Sequence, residues 1–293
     1  MVHSRAFANV RARSLAWLIA IAKIKSKKNF LFTKNKVWYI LRVIFFLERG
    51  QALSDKIIFE NENFAVVCKP RGVPSQEDKT GDISLLEYMK KFYYTENVDL
   101  KIINRLDRPV GGLIVFSKNE KWNKILSELI RNNKIEKKYL AIVNGMGKKE
   151  DFLEDWLLKN ERLNISKVVN KNTKKAKSAR LSYENVGACI TKDYGVLSLL
   201  KVNLDTGRHH QIRVQLKNQN LAIFGDRKYN DNKSLNKKCE YISLWSYSFC
   251  FKNPETNEKY EFECYPKDVF PFNLFSLNGM SESFEKKEND LVI

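Results

Sequence analysis

Ile103-Asn104-Arg105-Leu106-Asp107-Arg108-Pro109-Val110-Gly111-Gly112-Leu113-Ile114-Val115-Phe116-Ser117-Lys118 is the stretch from which the rest of the chain can be read. One Asp stands between two Arg residues. Pro109 fixes φ and the Gly111-Gly112 pair admits φ > 0, so the chain must turn sharply there. The apolar, β-branched run that follows reads as a buried strand. An Asp in a loop that feeds a rigid strand is well placed for chemistry. Taken alone, Arg105-Leu106-Asp107-Arg108 reads more simply as surface ion pairing.

Two later stretches shift that balance. They are Asn133-Lys134-Ile135-Glu136-Lys137-Lys138-Tyr139-Leu140-Ala141-Ile142-Val143-Asn144-Gly145 and Leu204-Asp205-Thr206-Gly207-Arg208-His209-His210-Gln211-Ile212-Arg213-Val214-Gln215-Leu216. In this order the three resemble the motifs of the RluA-type pseudouridine synthases, which convert uridine in RNA to its C-glycoside isomer. The resemblance runs from about Ser54 to about Pro266. Its most specific part is the Arg-x-His-Gln-Ile-Arg run ending at Arg213.

The resemblance implies an α/β (α+β) fold: a mixed, largely antiparallel central sheet flanked by helices, with a catalytic cleft across its middle. It implies that Asp107 is the reacting carboxylate and Arg213 its ion-pair partner. A carboxylate kept charged in a dry pocket needs a cation beside it. Tyr139 matches the active-site tyrosine, which would stack on the uracil and assist proton removal. Arg105 matches the arginine that fills the place of an extruded nucleotide, extrusion being necessary because the reacting atoms are stacked inside RNA. Arg105, Arg108, Arg208, His210 and Gln211 form the expected RNA-binding set, with His210 and Gln211 orienting the loop and helix. Two departures from the family pattern stand out. Asn104 replaces the usual His, and Val110-Gly111 replaces a Thr-Ser pair beside the aspartate. A non-catalytic RNA-binding descendant of the same fold is the alternative.

Composition is compatible. At 293 residues with 43% hydrophobic and 29% charged residues, the chain has material for one or two domains. A net charge of +18 calls for a polyanionic partner such as nucleic acid, and the resemblance implies that it is RNA, either rRNA or tRNA. Residues 1–50 carry +10 of it, from eleven Lys/Arg and Glu48. Their apolar runs, Leu15–Ala22 and Val37–Leu47, fall short of the roughly 20 residues a membrane span needs. They read as two short helices, a leader, an organellar transit segment, or an arm for RNA or a membrane surface. The catalytic domain is expected over residues 54–270, and a polar tail over 276–293. Stable membrane insertion is not expected; a cytoplasmic monomer is, with an organelle as the alternative location.

Cys68, Cys189, Cys239, Cys250 and Cys264 are odd in number and lack Cys-x-x-Cys spacing. With three His residues, this argues against a zinc site or a disulfide framework and for a reducing compartment. No metal or cofactor is expected. Strands are predicted at 56–60, 64–68, 139–143, 181–186 and 196–205, with a hairpin at 241–251 and 259–264. Helices are predicted at 84–94, 121–132 and 211–217. The Lys- and Asn-rich residues 159–177 read as a surface excursion, and Gly225–Tyr229 resembles another loop of the family.

Overall fold

The computed structural model describes residues 56–93, 98–232, 234 and 239–277. The N-terminal segment and nearly all of the polar tail lie outside the described residues. Strands β1 (Ile57–Glu60) and β2 (Phe64–Lys69) are followed by helix α1 (Leu85–Phe92) and by β3 (Lys101–Ile102) and β4 (Gly111–Ser117). Helix α2 (Glu120–Arg131) leads to β5 (Ile135–Asn144), β6 (Glu150–Asn160), β7 (Ile165–Val169), β8 (Lys177–Thr191) and β9 (Gly195–Leu204). Helix α3 (Gln211–Asn218), β10 (Leu244–Lys252) and β11 (Lys259–Glu263) complete the order. All eleven strands join one sheet, whose main path runs β1-β2-β4-β10-β5-β9-β8-β6-β7. β4 and β10 run parallel, and the other pairings are antiparallel.

Helices cover both faces at the centre, so β2 and β4 are buried along their whole length. On one face Leu85 and Met89 of α1 and Ile212 and Leu216 of α3 pack against Ala65, Val67, Ile114, Tyr139 and Ala141. On the other, Trp122, Leu126 and Leu129 of α2 cover Phe64, Val66, Leu113 and Val115. The alternation along β2 and β4 assigns each side chain to a face. Ser84 caps α1 by accepting from the Glu87 N–H at 3.2 Å, and Asn119 caps α2 through Trp122 N–H at 2.9 Å.

Residues 159–177, read as a surface excursion, are mostly exposed and also contain a strand. Residues 165–169 form β7, an antiparallel partner of β6 in the register Asn160↔Ile165 to Trp156↔Val169. Its apolar positions, Ile165, Val168 and Val169, are spread among Lys and Asn, and this hid the period of two. The cysteine expectation also needs correcting. Cys68 and Cys264 are joined by a disulfide across 196 positions, while Cys189, Cys239 and Cys250 are free. Local spacing does not reveal a pair that the order of strands brings together.

Candidate active site

Asp107 precedes β4, near the middle of the sheet, and three contacts fix its loop. Ser75 Oγ donates to Leu106 C=O at 2.7 Å and accepts from Leu106 N–H at 3.1 Å. Gly72 N–H donates to Arg108 C=O at 2.8 Å. The Lys69 ammonium, fully buried, donates to the carbonyls of Pro70, Val73 and Arg108 at 3.0, 2.8 and 3.2 Å. Burial pushes its pKa down to about 7, against the opposing field of Asp107. The prolines of the 69–74 loop thus matter through what they hold still.

Asn104 bridges to β4, its Nδ2 donating to Leu113 C=O at 3.0 Å and its Oδ1 accepting from Val115 N–H at 2.8 Å. Val110 is buried in the core beside Tyr139. Gly111 and Gly112 allow β4 to approach β10. A Cβ on Gly111 would lie 2.2 Å from the Trp245 ring, and one on Gly112 would lie 2.1 Å from Ser246 C=O. The change from Thr-Ser to Val-Gly therefore goes with a tightly closed parallel contact. A serine at 111 does not fit this packing.

Arg213, on α3, is 5% exposed and binds two carboxylates. Its Nη1 donates to Asp107 Oδ2 at 2.8 Å. Its Nε and Nη2 form a fork with Asp226, at 2.8 and 2.7 Å. Burial works against the guanidinium charge, but hydrogen bonds and the fields of Asp226 and Asp107 hold its pKa above the usual value. His210 Nε2 also lies 3.2 Å from Asp107 Oδ2. Tyr139 is buried, which pushes its phenol up to about 12.

The expected RNA-binding residues divide. Arg105 and Arg208 are exposed. Arg108 is engaged with Asp82 and with Thr80 Oγ1 and Gly72 C=O at 2.8 and 3.0 Å. Gln211 is buried and its amide is spent on its own loop. Its Oε1 accepts from Thr206 Oγ1 and Arg208 N–H at 2.8 and 2.9 Å, and its Nε2 donates to Arg180 C=O at 2.9 Å. Two clefts share Asp107, His210 and Arg213 as a common wall. The narrower, about 100 Å³, adds Tyr139, Val110, Ile212 and Leu244. The wider, about 530 Å³, opens toward Tyr241, Arg227 and Lys228. Among the described residues no group of three or more His, Cys, Asp or Glu is arranged to hold a metal.

Asp226, Lys69 and Tyr229 were not assigned roles from the sequence. The Gly225–Tyr229 loop was the available signal, but an Asp in a turn does not reveal which cation it faces.

A sheet of this topology, with a cleft at its centre, is the fold of pseudouridine synthases. The solved structure of human RNA Pseudouridylate Synthase Domain Containing 1 superposes with a TM-score of 0.62 over 73% of this chain and 84% of that one, at 16% identity. The family model for RNA pseudouridylate synthase matches residues 63–218. An uncharacterized RNA pseudouridine synthase of Helicobacter pylori is 30% identical over 258 residues, 84% of this chain and 75% of that protein. A ribosomal large subunit pseudouridine synthase C of Buchnera aphidicola is 29% identical over 233 residues, 76% of this chain and 70% of that protein. The chain belongs to the RNA pseudouridylate synthase family, of the RluA type, whose members are isomerases.

Proposed function

We propose that this chain isomerises particular uridines in ribosomal RNA, with transfer RNA as the second substrate class, and that Asp107 is the reacting carboxylate. The observation that carries the reading is the placement of Asp107. Its carboxylate is 36% exposed to the clefts, while Arg213 Nη1 donates to Oδ2 at 2.8 Å and His210 Nε2 lies 3.2 Å from the same oxygen. The reaction breaks the N1–C1′ bond, turns the uracil, joins C5 to C1′ and moves the C5 proton to solvent while N1 gains one. A carboxylate can act on the nucleotide at such a step, as carboxylates do in retaining glycoside hydrolysis. Tyr139 stacks on the base. With its phenol pushed up to about 12 it is neutral near pH 7, so it serves as a ring and a donor rather than as the proton acceptor. Arg105, exposed at the narrow cleft, takes the place of the extruded nucleotide. The name of the Buchnera relative supports large-subunit rRNA as the first RNA to assay.

The test incubates purified protein with rRNA and tRNA and detects pseudouridine by carbodiimide labelling or mass spectrometry. Asp107→Asn keeps the side chain's size and removes its charge. Product formation should fall by about 10²-fold or more, with RNA affinity nearly unchanged. An unmutated protein that binds these RNAs tightly and forms no pseudouridine would establish the binding-protein alternative.

A further inference from the structure

The wide cleft meets the narrow one along Asp107, His210 and Arg213. A strand that delivers one nucleotide to the narrow cleft must therefore carry a neighbouring nucleotide past Asp107. At about 530 Å³ the wide cleft has room for it, within the roughly 300–1,000 Å³ of small-molecule sites.

Tyr241 lines this cleft, and two loops are shaped around it. Gly72, in the loop after β2, has φ +84°, and a Cβ there would lie 2.7 Å from the Tyr241 hydroxyl oxygen and 2.9 Å from the ring's Cε1. Gly225 has φ +79°, and a Cβ there would lie 2.6 Å from the Tyr241 carbonyl oxygen. The Cys239 thiol donates to that same oxygen at 2.8 Å. The Arg71 guanidinium lies over the ring, 5.4 Å from its centroid, and is itself anchored by donating to Phe270 C=O at 2.9 Å. The residue is thus held from several sides while it stays half-buried. A fixed aromatic ring beside a path for single-stranded RNA is a surface on which bases stack, because every base has a π face.

The cations of the lining are not all committed. Arg213 is spent on Asp226 and Asp107, and Arg108 on Asp82 and Asp78. The Lys228 ammonium donates to Asn164 C=O at 3.0 Å and forms no ion pair among the described residues. Arg227 is exposed and likewise has no carboxylate partner among them. Glu240 lines the cleft too, so the remaining charge suits a single phosphate rather than a run of them.

We propose that the wide cleft is a second nucleotide subsite: the base beside the target stacks on the face of Tyr241 away from Arg71, and the phosphate of that nucleotide meets Arg227 and Lys228. This rests on the reading that the target uridine enters the narrow cleft beside Asp107 and Tyr139. The subsite requires the neighbour to be unpaired and does not read which base it is.

The experiment is a binding cycle on the full chain. The RNA is a short single-stranded fragment holding the uridine mapped by the pseudouridine assay or, if none forms, the rRNA fragment bound most tightly. One abasic nucleotide is moved through every position in turn, and Kd is read by fluorescence anisotropy. In wild type one position should stand out, with binding weakened about tenfold, within the range of one base–aromatic stack. It should be next to the mapped uridine. Tyr241→Leu, which keeps apolar bulk without a π face, should bind the intact fragment about tenfold more weakly and lose its sensitivity at that position alone. Tyr241→Phe should keep both, with urea midpoints establishing that each variant folds. Arg227→Met should lower the slope of log Kd against log salt by about 0.7, the share of one single-strand phosphate. A wild-type profile with no single sensitive position overturns the subsite, as does one whose sensitive position is remote from the mapped uridine. So does a Tyr241→Leu that weakens every fragment equally, which would make the ring purely structural. A protein that forms no pseudouridine yet keeps one position coupled to Tyr241 refutes the chemistry assigned to Asp107 and leaves the stacking subsite standing.

Discussion

Arg213 holds two carboxylates that are not equivalent. Asp226 has a fully buried side chain, while that of Asp107 is 36% exposed. Removing one member of a buried pair leaves the other charged and unsolvated, at a cost of about 3–5 kcal/mol. Asp226→Ala should therefore lower stability by about that much. Asp107→Asn should change it by less than about 1 kcal/mol, because Arg213 keeps its fork with Asp226 and the substituted amide stays partly solvated. Equal urea midpoints for the two variants would show that the division of labour is wrong. Lys69 gives a test through pH. Its folded pKa is about 7 against the usual 10.5, so between those values the unfolded chain binds a proton that the folded chain has released. Unfolding free energy therefore rises with pH across that window, by up to about 1.4 kcal/mol per unit. Lys69→Met lacks this titration. The stability of wild type relative to Lys69→Met should increase between about pH 7 and 10, and a constant difference would mean that the buried amine stays charged throughout.

The contact between β4 and β10 is set by what the glycines lack. Trp245 pairs with Gly111 and Ser246 with Gly112 in a parallel register. The Trp245 ring is 6% exposed and its Nε1 donates to Cys264 C=O at 2.7 Å, so it has little freedom to move aside. Gly111→Ser should thus destabilise by about 1–3 kcal/mol through overpacking, read as a lower urea midpoint with unchanged slope. An unchanged midpoint would mean that the ring relocates at no cost. Elements with strong periodicity were legible in the sequence: α2, α3, β2, β9 and the β10–β11 pair lie within a few residues of where the apolar pattern puts them, while β8 spans 15 residues around the predicted 181–186. β3, β6 and β7 were not assigned; β7 escapes because an edge strand buries little and its pattern is diluted by Lys and Asn. β7 supplies the Ser166 amide to Tyr229, so an element the sequence did not reveal is the one behind His210. Asp107, Tyr139 and Arg213 could be singled out because their motifs are local. Asp226 meets Arg213 across 13 positions, Lys69 meets Arg108 across 39 and Tyr229 meets Ser166 across 63. Such pairings exist only once the sheet has formed.

For the whole molecule, charge and site are unevenly distributed along the chain. Residues 1–50 hold +10 of the +18, and none of the motif residues Asp107, Tyr139 and Arg213 lies there. Among the described residues no helix is long and apolar enough to cross a membrane. RNA affinity at moderate salt comes largely from phosphates neutralised by Lys and Arg, with counterions released in proportion. The isomerisation instead depends on groups fixed by the sheet. Deleting residues 1–50 should therefore separate the two properties. The dependence of log Kd on log salt should flatten, by about 0.7 for each single-strand phosphate that the segment neutralises. Affinity near physiological salt should weaken, while single-turnover kcat at saturating RNA should stay within about twofold of the full chain. Binding isotherms at four salt concentrations and rapid-quench pseudouridine assays measure these quantities, with circular dichroism establishing that the shortened chain is folded. A folded shortened chain that binds with an unchanged salt slope but turns over far more slowly would place part of the catalytic apparatus in the N-terminal segment, and the functional unit would then extend beyond the sheet.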